Sequence, residues 1–356
     1  MRQERGRTGQ LRTGFGSDCG RWTSRLRTPR MARSGSMYNG MLKAALIAEG
    51  SIELDTNPGI GYICRDTAGP HGNRKTIFIE FGRHRVKLEV GNSRFRISEQ
   101  DNRYILFENS KPVTEVKFVK PVFHAPEMAF FNLIPGCKYN CAFCNLAGMS
   151  EGIERSIPLE KYIELVQRRG KEIASIAVTS GVIDVERDIQ MIGKFTQLAR
   201  KAFPSIPLGV EPFITKKSHI DFLRECGADE IKINVHLFNE TLLKKWCPAF
   251  DRDPVPLLEH AVNVFGAGNV CTNVLLGLGE REEETIEGLE MLAELGVLAS
   301  LRVVHNTAVG IKIKPEVVYN LAQEYKTILK RYNLKPSMKT MCLRCMSCDL
   351  VPGADL

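Results

Sequence analysis

Three cysteines lie within eight residues, Cys137-Lys-Tyr-Asn-Cys141-Ala-Phe-Cys144, a C-x3-C-x2-C run. Three thiolates on one short loop can hold three corners of a [4Fe–4S] cube, which ordinarily takes four cysteines. One iron is then open to a small molecule, just as a catalytic zinc keeps one position free. The run follows an apolar stretch, Met128 to Ile134, that ends at Pro135-Gly136 and reads as a buried strand feeding a turn. Structural zinc and a ferredoxin-type carrier are the competing readings. Zinc knuckles usually pair C-x2-C units, and carriers need a fourth cysteine close by.

A second run, Cys342-Leu-Arg-Cys345-Met-Ser-Cys348, gives C-x2-C-x2-C near the C-terminus. Three reduced thiols at intervals of three suit a second metal centre, either an auxiliary Fe–S cluster or a mononuclear iron or zinc. Its fourth ligand has to come from elsewhere, with Cys247, Cys271, Cys226 and Cys64 as the candidates. Such a centre would supply sulfur, relay electrons, bind substrate, or simply close the bottom of the domain.

The elements that must position these residues fall into two rhythms. From Leu42 to Ala125 the sequence alternates apolar and polar residues over 76–81, 85–90, 95–98, 104–107 and 113–119, with turn residues between. This predicts a small antiparallel β domain over 42–125, one face packed and the other wet. Over 126–335 strands alternate with helices. Strands are expected at 128–134, 175–179, 208–213, 230–236, 270–278 and 299–305. Helices are expected at 159–174, 185–202, 217–226, 239–246, 254–265, 282–295 and 315–332. Alternation at this spacing implies parallel βαβ units, whose chemistry sits at the carboxyl ends of the strands. Residues 336–356 form a cysteine-rich C-terminal extension.

The first cysteine run, on a loop after the first of six strand–helix units, resembles the radical S-adenosylmethionine (radical SAM) superfamily. The resemblance implies a partial (β/α)6 TIM-type barrel. It also implies an open iron that chelates the amino and carboxylate groups of SAM, and a low-potential donor whose electron releases a 5′-deoxyadenosyl radical. Phe143 stands where the family places an aromatic residue near the adenine. Thr179-Ser180-Gly181 stands where the family often has Gly-Gly-Glu holding the methionyl amine; Gly181 keeps the close backbone approach, and the hydroxyls of Thr179 or Ser180 replace the missing acid. Glu211 ends the third strand and can accept hydrogen bonds from ribose hydroxyls or the SAM amine, and its burial calls for a partner. Asn234 is the expected ribose or carboxylate contact. His236 is either a substrate or proton-transfer residue or a structural one. Gly277-Leu-Gly279-Glu280 resembles an element that flanks the adenine in many members. Arg302, with His305, can point inward to the SAM carboxylate or the substrate.

A closer resemblance runs from Gly50 to the end, through Thr-Ser-Gly-Val, Gly-Leu-Gly-Glu and the terminal Cys-x2-Cys-x2-Cys-Asp-Leu-x-Pro-Gly-x-Asp-Leu. It is to a methanogen-associated archaeal group suspected to include the C-methyltransferase of a glutamine in methyl-coenzyme M reductase. That resemblance implies the reductase alpha subunit as protein substrate and cobalamin as methyl carrier. The chain has no Asp-x-His-x-x-Gly motif, so cobalamin would be held another way, between barrel and β domain. The alternative is sulfur insertion or cofactor assembly, because the barrel also resembles enzymes of the biotin- and lipoyl-synthase type.

The net charge of +8 misleads. Residues 1–36 carry nine arginines against Glu4 and Asp18, while the remainder has 40 basic and 39 acidic residues. No nucleic-acid footprint follows from so neutral a body. The arginine-rich head lacks an apolar periodic face, so residues 1–41 are expected to be disordered. They read as a targeting peptide or, preferably, as translation assigned upstream of a true start at Met31, Met37 or Met41. Eleven cysteines without the apolar core of a signal peptide point to a reducing cytoplasm. No stretch reaches the length of a membrane span.

Overall fold

The computed structural model describes residues 36–65, 74–144, 146, 157–250, 253–305 and 311–356. The predicted N-terminal extension lies outside the described residues as far as residue 35. From Ser36 the chain is helical: α1, Ser36–Glu49, begins within the segment expected to be featureless. It packs between the last long helix and the β domain.

The five expected strands of the β domain are present, as β3 (Lys75–Phe81), β4 (His84–Val90), β5 (Phe95–Gln100), β6 (Arg103–Glu108) and β7 (Lys111–Val119). Two more precede them, β1 (Ser51–Leu54) and β2 (Cys64–Arg65). Two features depart from the sequence reading. The domain is not purely antiparallel, because β1 lies parallel to both β4 and β5. Nor is it an open sheet, because β3 also pairs with β7 and closes the sheet into a barrel. Closure removes the edges that an open sheet would have to protect. Ile77, Phe78 and Ile79 are consecutive and all fully buried, so both faces of β3 are covered.

The second domain is a six-stranded, all-parallel sheet. In order its strands are β8 (Met128–Asn132), β9 (Ser175–Thr179), β10 (Leu208–Glu211), β11 (Glu230–Lys232), β12 (Val270–Leu276) and β13 (Leu298–Val303), each paired with the next. The crossovers are α2 (Leu159–Arg169), α3 (Val185–Ala202), α4 (Lys217–Glu225), α6 (Val255–Phe265) and α7 (Glu282–Glu294), and α8 (Pro315–Arg331) follows β13. A short α5 (Glu240–Trp246) follows β11. This is the predicted partial (β/α)6 barrel. The long helices hide one stripe, as in α8, which buries Val318, Leu321, Ala322, Tyr325, Ile328 and Leu329 at the spacing of three and four that puts side chains on one face. Asp184 and Asn239 cap α3 and α5 through Arg187 N and Leu242 N, at 3.0 Å each.

The C-terminal extension is part of the barrel. Glu230, the first residue of β11, accepts Lys339 N at 2.7 Å and Thr340 N at 2.8 Å, and also the Thr340 hydroxyl. A side chain at Gly209 would collide with Thr340, so glycine there admits the segment to the barrel floor. A last helix, α9 (Met341–Cys345), ends on Met346 in the left-handed region. Beyond it, Lys87 N in β4 donates to Ser347 O at 2.8 Å, tying the segment to the β domain as well. No described helix is long and apolar enough to cross a membrane.

Candidate SAM and iron–sulfur site

A chamber of about 190 Å³ occupies the barrel axis. At the carboxyl ends of the strands, Cys137, Cys141 and Cys144 line it with Phe143; Thr179, Ser180, Gly181, Glu211, Asn234 and Arg302 contribute from the strand ends. Cys342 and Cys348 line the same chamber, reaching it from the segment that enters by the floor. Gly277 and Gly279 do not line it. Their turn is held by Glu280, which accepts Gly277 N at 2.6 Å and Leu278 N at 2.8 Å. Leu278 packs behind the chamber wall with Cys141, Phe143 and Leu275.

Along β11 and the residues that follow it, positions 230, 232, 234 and 236 point inward, and they form a polar ladder. Lys232 Nζ stands 3.4 Å from Glu211 Oε2, so the partner that a buried glutamate requires is present. Burial opposes the charge on Lys232, but Cys342 and Glu211 outweigh it and hold the ammonium protonated. Asn234 donates to Glu211 Oε1 at 3.0 Å and accepts from Asn273 N at 3.2 Å, so its amide is already committed within the wall. Thr179 donates its hydroxyl to Glu211 O at 3.1 Å. Asn273 Oδ1 and His236 Nδ1 are buried without a partner. His236 lies against Phe143 and Phe250, and burial pulls its pKa down to about 3, so its ring is neutral.

Cys141 and Cys144 do not ionise unaided. Burial pushes Cys141 up to about 11, and its neighbours Cys144 and Cys137 add to the rise; burial also raises Cys144. Leu146 N donates to Cys144 Sγ at 3.4 Å. A fourth thiol, Cys247, is fully buried in the same apolar cluster but does not line the chamber. Among the described residues, no three His, Cys, Asp or Glu side chains converge as ligands of one ion do. Ligands of a cluster surround a cube of several atoms instead.

A family model for the radical SAM superfamily matches residues 131–319, more than half of the chain. The chain belongs to the radical SAM superfamily. Among solved structures it is similar to the [FeFe]-hydrogenase maturase HydG of Carboxydothermus hydrogenoformans, at 14% identity and a TM-score of 0.48, over 58% of this chain and 52% of that one. It is similar to methylornithine synthase, PylB, at 15% identity and a TM-score of 0.47, over 64% of this chain and 73% of that one. It is also similar to SuiB of Streptococcus suis bound to the precursor peptide SuiA, at 13% identity and a TM-score of 0.46, over 59% and 48%. The chain thus matches about half the length of the maturase and of SuiB. No curated protein matches it in sequence.

Membership of the radical SAM superfamily implies a [4Fe–4S] cluster and SAM, and the donor set fits both. Three thiols face one chamber with an N–H donor on Cys144, and a metal supplies the positive charge that their ionisation needs. Beyond them, the orphaned Asn273 Oδ1 offers an acceptor to an amine or hydroxyl donor, such as SAM carries. A Cβ on Gly181 would overlap Gly136 O, so this glycine lets the β9 turn close on the cysteine loop. Arg302 lines the chamber beside Cys348 and keeps Nη1 buried without a partner. Cys345 lies behind the chamber wall. Among the described residues, two cavities flanked by Lys87 and Arg302, between β domain and barrel, measure about 10 and 30 Å³, against several hundred Å³ for ordinary cofactor pockets.

Sequence reasoning missed Lys232 and Asn273. Both were legible as polar residues on inward-facing alternate positions of apolar strands. Lys87 and His124, which also line the chamber, carried no such signal, because they reach it from outside the barrel.

Proposed function

We propose that this chain cleaves SAM at Cys137, Cys141 and Cys144, reduced by a low-potential electron donor, to start chemistry on a carbon of a protein side chain. One observation carries the reading: Cys137, Cys141 and Cys144 meet at one end of a chamber that also presents Asn273 Oδ1 as a buried unpartnered acceptor. When bound, the cluster supplies the electron that breaks the sulfonium bond. The chain's own part is to hold SAM, orient it and keep water out. Phe143, Phe250 and Leu275 give the apolar wall. Glu211 is held between Lys232 and two amides, its carboxylate placed to take hydroxyl or amine donors.

The finer reading is C-methylation of a glutamine in the alpha subunit of methyl-coenzyme M reductase, with cobalamin as methyl carrier. It rests on the sequence pattern from Gly50 to the C-terminus, and the cobalamin would dock at the mouth of the chamber. The test is anaerobic reconstitution followed by product analysis. The parent should form 5′-deoxyadenosine with dithionite, and Cys141→Ala should form none. With SAM labelled in its methyl group, a reductase peptide should gain the label only when cobalamin is added. Cleavage by Cys141→Ala would overturn the site; a peptide that gains sulfur instead would replace the methyl-transfer reading.

A further inference from the structure

Three cations surround the C-terminal thiols that face the chamber. Lys232 Nζ is 3.4 Å from Cys342 Sγ, and Arg302 lies beside Cys348 on the chamber wall. Lys87, from the β domain, lines the same wall and is 5% exposed. Two carboxylates answer them: Glu211, beside Lys232, and Asp349, which accepts from Ser300. Arg302 keeps Nη1 buried without a partner. Cys342, Cys345 and Cys348 all line one small cavity, with Lys87 and Arg302 on its wall, and it shares Cys342 and Cys348 with the chamber. Three thiols around one cavity walled by buried cations suit an anionic iron–sulfur group. Cys345, behind the wall, closes the triad from the protein side, its Sγ 3.1 Å from Ser347 Oγ.

We infer that Cys342, Cys345 and Cys348 bind a second iron–sulfur cluster, one face of which opens into the same chamber as the first triad. Cys271 is not part of it: this thiol is sealed in the barrel wall beside Lys232 and does not line the chamber. Among the described residues no further thiol lines the cavity of Cys342, Cys345 and Cys348, so the cluster has three protein thiols and one iron turned toward the space where substrate meets SAM. Its existence stands apart from the proposed function; its use in catalysis rests on that reading.

The test uses the full chain with Cys137, Cys141 and Cys144 all replaced by Ala, reconstituted anaerobically with iron and sulfide. This variant should keep roughly half of the parent's iron and acid-labile sulfide, with a paramagnetic signal after reduction. Adding cyanide should shift that signal, because one iron is open. Replacing Cys342 and Cys348 with Ser as well should remove the remaining iron. A folded triple variant without iron, or one loaded with zinc, would overturn the inference, as would iron that survives loss of Cys342 and Cys348. A signal indifferent to cyanide would overturn the open face. Should the triple variant not fold, Cys342→Ser/Cys348→Ser in the otherwise unchanged chain gives the same count, and iron equal to the parent's would refute the cluster. Failure of the parent to cleave SAM would strike the proposed function and leave this iron count standing.

Discussion

Lys232 Nζ stands at 3.4 Å both from Glu211 Oε2 and from Cys342 Sγ, so one ammonium joins the SAM-facing wall to the C-terminal thiols. The lysine side chain is 1% exposed and the glutamate 15%. Removing one member of a buried pair leaves the other charge uncompensated, at about 3–5 kcal/mol. Lys232→Met should therefore lower the denaturation midpoint sharply. Lys232→Met combined with Glu211→Gln should recover part of the loss. A single variant as stable as the parent would show that water already screens this pair.

The barrel was legible because its strands and helices carry plain periodicities, and the expected segments match the observed ones to within a few residues. The inward ladder at 230, 232, 234 and 236 could be read from the same alternation. What could not be read was the course of the C-terminal segment. Nothing in Thr340 or Met341 announces that they fill the barrel floor, because the cause lies at Gly209 and Glu230, more than a hundred residues earlier. Closure of the β domain was hidden for a similar reason. The pairing of Phe78 with Val119 is a long-range event that alternation within each strand does not encode. Gly277-Leu-Gly279-Glu280 has a local role legible in its own pattern: Glu280 accepts Gly277 N and Leu278 N and closes the turn.

Gly181 gives a direct link between backbone packing and metal content. A Cβ there would overlap Gly136 O, a backbone atom that no rotamer change can move, and Gly181 N donates to Ile134 O at 2.9 Å across the same contact. Gly181→Ala should push the cysteine loop off the β9 turn. The expected result is a folded protein that loses most of its first-site iron and its SAM cleavage, while iron bound by the C-terminal triad remains. Full iron content in this variant would mean that the loop yields without disturbing the thiols.

Two histidines, His236 buried and His305 half-buried, set the acid limit of the fold. Burial lowers His236 to about 3 and His305 to about 4, whereas an unfolded histidine titrates near 6.5. Between those values the unfolded chain binds more protons than the folded one, so stability falls as pH is lowered from about 6.5 toward 4. Denaturant midpoints measured across that interval should show the decline. His236→Asn, which keeps a residue tolerant of the left-handed backbone at φ 69°, should flatten part of it. An unchanged slope would mean that His236 is solvated and ordinary.

The last residues clamp the second triad in place. Asp355 is 2% exposed and accepts Lys43 Nζ from α1 at 2.6 Å and Val351 N at 2.8 Å, and it lies 3.0 Å from His84 Nδ1 in β4. Burial alone would raise its pKa, but His84 and Lys43 hold the carboxyl below the usual range. Lys43 Nζ also donates to Met346 O at 2.6 Å, between Cys345 and Cys348, so the clamp fixes the turn on which these thiols sit. Asp355→Asn should leave Lys43 buried without its counter-charge, at a cost of about 3–5 kcal/mol. Because Cys345 is only 7% exposed in the parent, its alkylation in metal-free protein reports release of the segment. Modification of Cys345 should quicken several-fold in the variant, while that of Cys226, buried on the far side of the sheet beside α3, should not change. Equal rates at Cys345 in parent and variant would show that the floor contacts at Glu230 hold the segment without the clamp.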